Sequence, residues 1–396
     1  MSALVTTQIR KLFAGSDALA VSAAIASVSV VGTGLGLSGP LLSLLMEAKG
    51  VSSTLNGANT AMAGVAALTI VPFTTAIARK LGVVNALLIN ILLATALFLL
   101  FYITEPLPAW FILRFFFSCN LAMIFVLSEF WINSAAATNN RGMILGIYAT
   151  TLSIGFAIGP AIVSAVGIHG FTPFAIGAGL LAAASIPAWI ARHRGPVMEK
   201  EGKTPSILPY LLMVPLATGA AFVFGAVEQT QLALLPVFGT RSGFDTTGAA
   251  LLLTVLSCGH VLFQIPLGMW SDRISDRRII LLICTIVGIA GSILLPLVVG
   301  TTWLLYLIVF LWGGTVGGLY TVGLAHLGSR LSGSDLAQAN AAFILCYALG
   351  MFVGPQLTGL LMDGLGPAGF GISVLVFFVL YLVLYLSRLK AHQDAS

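Results

Sequence analysis

Twelve long apolar runs, each closed by a short polar stretch, constrain this chain more than any other feature. They lie near 18–46, 52–78, 83–103, 108–133, 142–166 and 171–191, then near 207–238, 246–270, 279–299, 302–327, 336–362 and 369–388. A helix needs about 20 apolar residues to cross a bilayer. Inside hydrocarbon every backbone polar group must find its partner within the segment, so runs of this length are read as helices. With 58% hydrophobic and 8% charged residues, the 396-residue chain could not cover a water-facing surface with polar groups. The expectation is an all-α polytopic membrane protein with 12 transmembrane helices.

The longest polar stretch, Arg192–Pro209, separates six runs from six and carries Arg192, His193, Arg194, Glu199, Lys200, Glu201 and Lys203. It predicts an N-terminal six-helix bundle over 1–191, a cytoplasmic linker over 192–209 and a C-terminal six-helix bundle over 210–396. The halves repeat each other. Tyr148…Gly155-x-x-x-Gly159-Pro160 recurs as Tyr347…Gly350-x-x-x-Gly354-Pro355, an offset of 195 for the Gly-Pro pair. Pro40 maps to Pro236 at an offset of 196, and Trp110 to Trp303 at 193. Constant offsets near half the length indicate a parallel duplication, hence two pseudo-symmetric bundles.

A net charge of +5 in a soluble protein would point to nucleic acid. Here the basic residues sit at span ends, where they report orientation. Placing both termini in the cytoplasm puts 15 of the 18 Lys+Arg there. Lys49 and Arg241 fall outside with Glu47, Glu105, Asp245 and Asp363, while Arg114 lies within a span. That bias fits an integral protein of the plasma (bacterial inner) membrane. Met1–Ser16 is polar and the run behind it is too long for a signal h-region, so no cleavable signal peptide is expected. Cys119, Cys258, Cys284 and Cys346 stand singly in apolar runs and read as small buried hydrophobes. The chain has no His-Glu-x-x-His, no Gly-x-Ser-x-Gly and no metal-ligand spacing. Neither enzymatic activity nor a cofactor or metal is expected, and without a nucleotide-binding domain ATP-driven pumping by this chain alone is excluded.

One polar turn stands out between the eighth and ninth runs: Gly268-Met-Trp-Ser-Asp272-Arg273-Ile-Ser-Asp-Arg277-Arg278. It resembles the G-x-x-x-D-R-x-G-R-R signature of the major facilitator superfamily, and the resemblance covers essentially the whole chain. The first-half counterpart, Thr75-Ala-Ile-Ala-Arg79-Lys-Leu-Gly82, lacks the glycine and the acid. Arg114 falls where the family places an arginine early in helix 4, and Arg141-Gly142 follows 27 residues later. Ser128-Glu129-Phe-Trp131-Ile-Asn133, with Arg141-Gly142 and Gly146-Ile-Tyr148, resembles the YcaD-like branch, whose substrates are ill-defined. Gly155-x-x-x-Gly159-Pro160 is similar to the antiporter signature of helix 5, although Val163-Ser164 replaces its closing glycines. By pseudo-symmetry, Asp272 is expected to face Arg141 at the start of helix 5, and Arg79 to face Asp335 at the start of helix 11. With Gly268, Arg273, Arg277 and Arg278, these residues form an expected cytoplasmic gate.

Ionisable residues inside spans are costly unless paired or wetted, which makes each a candidate. Arg114 lies about 9 Å inside the fourth span at ~1.5 Å per residue. Either it snorkels to the surface or it serves as a substrate anchor. Glu228, flanked by Gln229, Thr230 and Gln231, forms four consecutive polar groups in an apolar helix, natural in a water-filled cavity. The alternative is a structural hydrogen-bond cluster between helices. In the family fold, helices 1, 4, 7 and 10 line the cavity. The resemblance therefore implies communication between Arg114 and Glu228, with Glu228 as the protonatable group.

Glu129, with Trp131 and Asn133, is read as an inner gate or as an interfacial acid. His260 shares a helix face with Gln264 four residues on and reads as a titratable group or a neutral helix contact. His326 reads as interfacial. Tyr320, Tyr347, Gln356, Asn120 and Asn59 complete the expected lining. Together these features predict a secondary active transporter for a small organic solute, working as a monomer by alternating access. Protons and membrane lipid are its expected partners, with efflux by antiport as the direction. Proton-coupled uptake or uniport is the alternative within that class; a lipid flippase or membrane sensor is the alternative outside it.

Overall fold

A computed structural model describes residues 17–137, 141–197, 208–274, 276–331 and 333–393. Those residues form helices joined by short turns, with no strand among them, and twelve of the helices are long and apolar enough to cross a membrane. They are α1 (Ala18–Ala48), α2 (Ser53–Leu81), α3 (Val83–Ile103), α4 (Leu107–Ala135), α5 (Arg141–Val166) and α6 (Thr172–Ile190). The second six are α7 (Pro215–Arg241), α8 (Thr246–Arg273), α9 (Arg278–Leu297), α10 (Thr302–Arg330), α11 (Gly333–Leu365) and α12 (Ala368–Gln393). Short polar residues and prolines set the ends. The Asp17 carboxylate accepts from the Leu19 and Ala20 amides, and Asp245 accepts from the Gly248 amide, which satisfies orphan N–H groups at the starts of α1 and α8. Pro215 occupies the first turn of α7, where its missing N–H costs nothing. The expected seventh span from 207 is therefore shortened: a 3₁₀ turn over Leu208–Leu211 precedes it.

Large apolar side chains remain exposed on many helices, among them Ile103 at 70%, Leu262 at 61% and Leu380 at 59%. In water such a surface would be a liability, whereas against lipid tails it is the expected exterior. The opposite extreme is α7, whose apolar window is 89% buried, against 28% for α5. α7 is thus the central post of its surroundings.

The chain forms two compact units, within which the described residues fall as follows. The first comprises Met1–Ser38, Thr69–Gly159 and His169–Glu201; the second comprises Gly39–Leu68, Pro160–Ile168 and Gly202–Ser396. In the first, α1 and α5 meet backbone to backbone, because a Cβ at Gly155 would overlap the Gly32 and Thr33 backbone. Phe98, Phe101 and Phe117 fill the adjoining core, with Phe101 edge-on to Trp110 and Phe117. In the second, α11 meets α7 in the same fashion: a Cβ at Gly350 would overlap the Phe222 carbonyl. The duplicated Gly-x-x-x-Gly-Pro motif therefore performs one packing task in both places. Two helices are interrupted, α6 at Ala184 and α10 at Gly317.

Candidate functional site: a carboxylate in an aromatic box

The close α7–α11 contact sets the register that matters. It brings Tyr347 of α11 beside Glu228 of α7, and the Tyr347 hydroxyl donates a short hydrogen bond to Glu228 Oε2. Rings close around the pair. Phe224, one turn before Glu228, stacks on Tyr347 with centroids 6.1 Å apart and planes at 23°. Tyr320 of α10 stands edge-on to Tyr347 at 5.7 Å and tilted on Phe224 at 5.4 Å. His260 of α8 lies 6.0 Å from the Phe224 ring and fills the space beside Gly317, where α10 breaks. Glu228, Tyr347, Tyr320 and His260 are each half-buried. The box is thus neither sealed nor open: a carboxylate with one phenol donor, walled by aromatic faces.

Its neighbours on α7 divide by role. Thr230 is fully buried and pairs with Thr358, which in turn pairs with Ser373 at 2.8 Å, a structural hydrogen-bond chain joining α7, α11 and α12. Gln229 and Gln231 are 1% and 5% exposed, and each has an amide nitrogen without a hydrogen-bond partner among the described residues. Gln264 and Gln356 are half-buried on α8 and α11. The expected set Glu228, Tyr347, Tyr320 and His260 is brought together. Phe224 joins it although nothing in its sequence context singles it out, since one Phe in an apolar run looks like any other.

In the first unit, Arg114 does not snorkel: it is 1% exposed. Nη1 donates weakly to the Ser38 carbonyl at 3.4 Å, while Nε and Nη2 have no partner among the described residues. Those two nitrogens form the side of the guanidinium that binds a carboxylate with two parallel hydrogen bonds. Ser118, one turn further along α4, is also buried, its hydroxyl without a partner among the described residues. Asn120 instead donates to the Phe116 carbonyl. Glu129 is exposed on α4, and its backbone carbonyl accepts from the Asn133 side chain. Trp131 is fully buried and donates to the Arg194 carbonyl at 3.3 Å, so it anchors the polar turn after α6.

In the Gly268–Arg278 turn, Arg277 donates to Ser271 at 3.2 Å and Arg278 pairs with Asp276 at 2.8 Å, while Arg273 is exposed. The side chains of Asp272 and Arg141 lie outside the described residues. Arg79 is exposed, and Asp335 accepts from the Tyr210 hydroxyl at 2.7 Å. Beside Tyr210 that carboxylate raises the phenol above its usual range, the hydrogen bond being the larger cause.

Sequence reasoning missed an ionic cluster in the second unit. Arg241, at the end of α7, binds Glu47 at the end of α1 through Nε at 2.8 Å and Nη2 at 3.1 Å. Its Nη1 reaches Asp363 of α11 at 3.4 Å. Asp363 also accepts from the Ser53 and Thr54 amides and the Thr54 hydroxyl, capping α2. The available signal was the opposite charge of Arg241 and the acids sharing its expected side.

Twelve membrane-length helices carrying buried polar clusters define a polytopic helical membrane protein. The family model described as Major Facilitator Superfamily matches residues 24–252 and 217–395, and the chain belongs to that family. It is 26% identical over 380 residues to an uncharacterized MFS-type transporter, YfkF, of Bacillus subtilis (strain 168), covering 93% of this chain and 95% of that one. To YcaD of Escherichia coli O17:K52:H18, likewise an uncharacterized MFS-type transporter, it is 24% identical over 279 residues, 70% of this chain and 72% of that one. Its fold matches a mutant of the nucleoside transporter NupG with a TM-score of 0.76 at 16% identity, covering 93% of this chain and 99% of NupG. It also matches an inward-facing, unoccupied bacterial homologue of the human lysosomal transporter Spinster, with a TM-score of 0.72 at 13% identity, covering 93% and 96%.

Proposed function

We propose that this protein is a proton-coupled secondary transporter that exports a small organic solute in exchange for protons. In this reading Glu228 carries the proton. The observation that carries it is the Tyr347–Glu228 hydrogen bond inside a half-open aromatic box on membrane helices. A carboxylate there changes charge by one proton, and Tyr347 is positioned to donate to the charged form, which favours it. The aromatic faces suit an amphiphilic solute rather than a heavily hydroxylated one. Arg114 adds a second element: its buried, unpartnered Nε/Nη2 side favours a solute bearing a carboxylate or similar anion. The protein acts as a monomer with both termini cytoplasmic, an orientation supported by the excess of Lys and Arg on that side. It works by alternating access, with charged contacts at the cytoplasmic ends (Asp272 with Arg141, Arg79 with Asp335) closing that side in one state.

The test is flux in proteoliposomes under an imposed pH gradient, screened against a panel of organic acids and amphiphiles. Wild type should move solute out against inward proton flow, and Glu228→Gln should abolish the dependence on the gradient. Flux indifferent to the gradient would mean uniport, solute moving with the protons would mean symport, and no flux of any panel member would favour a flippase or sensor.

A further inference from the structure

A second polar feature is lined by residues other than those of the aromatic box. A pocket of about 470 Å³ opens where the approach to α7, the first turn of α9 and the last turns of α10 and α12 converge. Arg278, Arg330 and Arg388 line it, and His326, only 6% exposed, adds an imidazole to the lining. Among the described residues one carboxylate pairs with them, Asp276, bound to Arg278 at 2.8 Å. The hydrogen bond from Arg278 holds the Asp276 carboxyl below the usual carboxylate range, so it stays ionised at neutral pH. Arg330 and Arg388 are exposed, and among the described residues neither takes part in an ion pair. The cluster therefore keeps an excess of positive charge.

The rim differs from the floor. Leu212 and Met213, just before α7, are 75% and 51% exposed and line the same pocket. A basic floor beside a protruding apolar rim is an amphipathic arrangement that water alone does not explain. Arg330 in the last turn of α10 would by itself be an ordinary complement to a helix dipole. That accounts for one guanidinium but not for the convergence of three from three helices. The volume falls within the ~300–1,000 Å³ usual for a small-molecule site. Guanidinium groups pair with phosphate oxygens through two parallel hydrogen bonds. Basic pockets between membrane helices on the cytoplasmic side match the headgroups of anionic lipids.

We propose that this pocket binds the phosphodiester headgroup of an anionic phospholipid, with Arg330 and Arg388 on the phosphate and Leu212 and Met213 against the first acyl carbons. Binding can be read on the full-length protein in detergent by native mass spectrometry and by thermal unfolding. The added probe is phosphatidylglycerol, phosphatidylcholine or inorganic phosphate. Wild type should retain phosphatidylglycerol selectively and melt at higher temperature with it, and rising salt should weaken the effect. The R330Q/R388Q double variant should bind phosphatidylglycerol roughly thirtyfold more weakly, from about fivefold per exposed charge near a lipid surface. R330K/R388K should lose only part of that affinity.

Equal retention of phosphatidylcholine, or equal protection by inorganic phosphate, would overturn the lipid assignment. So would a double variant that binds phosphatidylglycerol like wild type. The salt and headgroup comparison on wild type decides the matter even if the double variant does not fold. Because it reads binding and not flux, it also stands apart from the test of proton coupling.

Discussion

At the scale of single residues, the candidate site works through unfinished hydrogen bonding. Glu228 has a phenol donor from Tyr347 and aromatic walls, but no guanidinium or ammonium partner among the described residues. Glu228→Gln should leave the fold intact, as judged by chromatography and melting, while flux becomes independent of an imposed pH gradient. Tyr347→Phe keeps the carboxylate and removes its donor. It should preserve gradient dependence but move the midpoint of the flux-against-pH profile, an outcome that a purely structural tyrosine would not produce. For Arg114 the discriminating change is the conservative one. Arg114→Lys keeps a charge but loses the planar pair of donors. If a solute anion is held by Nε and Nη2, Arg114→Lys should raise the apparent KM by about tenfold or more, one lost charge-assisted hydrogen bond. An unchanged KM would remove Arg114 from the solute site. Most of these residues were legible in the sequence because a polar group inside an apolar run stands out. Their company was not: which ring faces Glu228 depends on helix phase and on the depth of the α7–α11 contact, neither of which leaves a mark in composition.

At the scale of helices, the duplicated glycine motif turns sequence into register. Tyr347 reaches Glu228 only because nothing larger than hydrogen separates Gly350 from the Phe222 carbonyl. Gly350→Ala should therefore cost about 1–3 kcal/mol through overpacking and lower the melting temperature by several degrees, at roughly 2–4 °C per kcal/mol in a large domain. Flux should fall further than stability if Glu228 carries the proton as proposed, since the shift displaces it. Gly268, in the family signature, is the natural control. A Cβ there meets nothing within 4 Å, so Gly268→Ala should melt like wild type within about 0.5 kcal/mol. If transport nevertheless falls, Gly268 is needed in a conformation other than this one. The existence and order of the helices were readable from apolar length alone, and most expected limits agree within a few residues. The seventh is the exception. Its apolar run continues toward Leu208, but Pro209 and Pro215 withhold the N–H groups that a continuous helix requires.

At the scale of the whole molecule, alternating access requires contacts at one end of the helices to break as those at the other end form. The sequence pointed to the cytoplasmic end, where Asp272, Arg141, Arg79 and Asp335 were expected to pair. The side chains of Asp272 and Arg141 fall outside the described residues, and Asp335 is engaged by Tyr210. The ionic cluster seen in full lies at the opposite end of the helices, where Arg241 binds Glu47 and Asp363 while Asp363 caps α2. It was missed because charges at span ends are ordinarily spent on solvent and orientation. Only the fold reveals that residues 194 and 122 positions apart in the chain meet.

These side chains are 22–28% exposed, so each pair contributes little to stability, about 1 kcal/mol or less at a wetted surface. That modest strength would suit a contact proposed to open during alternating access. Arg241→Gln should therefore leave melting nearly unchanged but shift the conformational balance. In a cysteine-free background carrying Asn59→Cys, a site on α2 only 2% exposed here, an impermeant thiol reagent added from outside should label several-fold faster once Arg241 is replaced. High salt should speed the labelling of the Arg241-containing protein in the same direction, and Arg241→Lys, which keeps charge but not the bidentate grip on Glu47, should fall between. Equal labelling in all three proteins would mean that the cluster merely decorates the surface, and that closure at this end rests on the packing of α2 against α11, where Gly57 meets the Pro355 carbonyl.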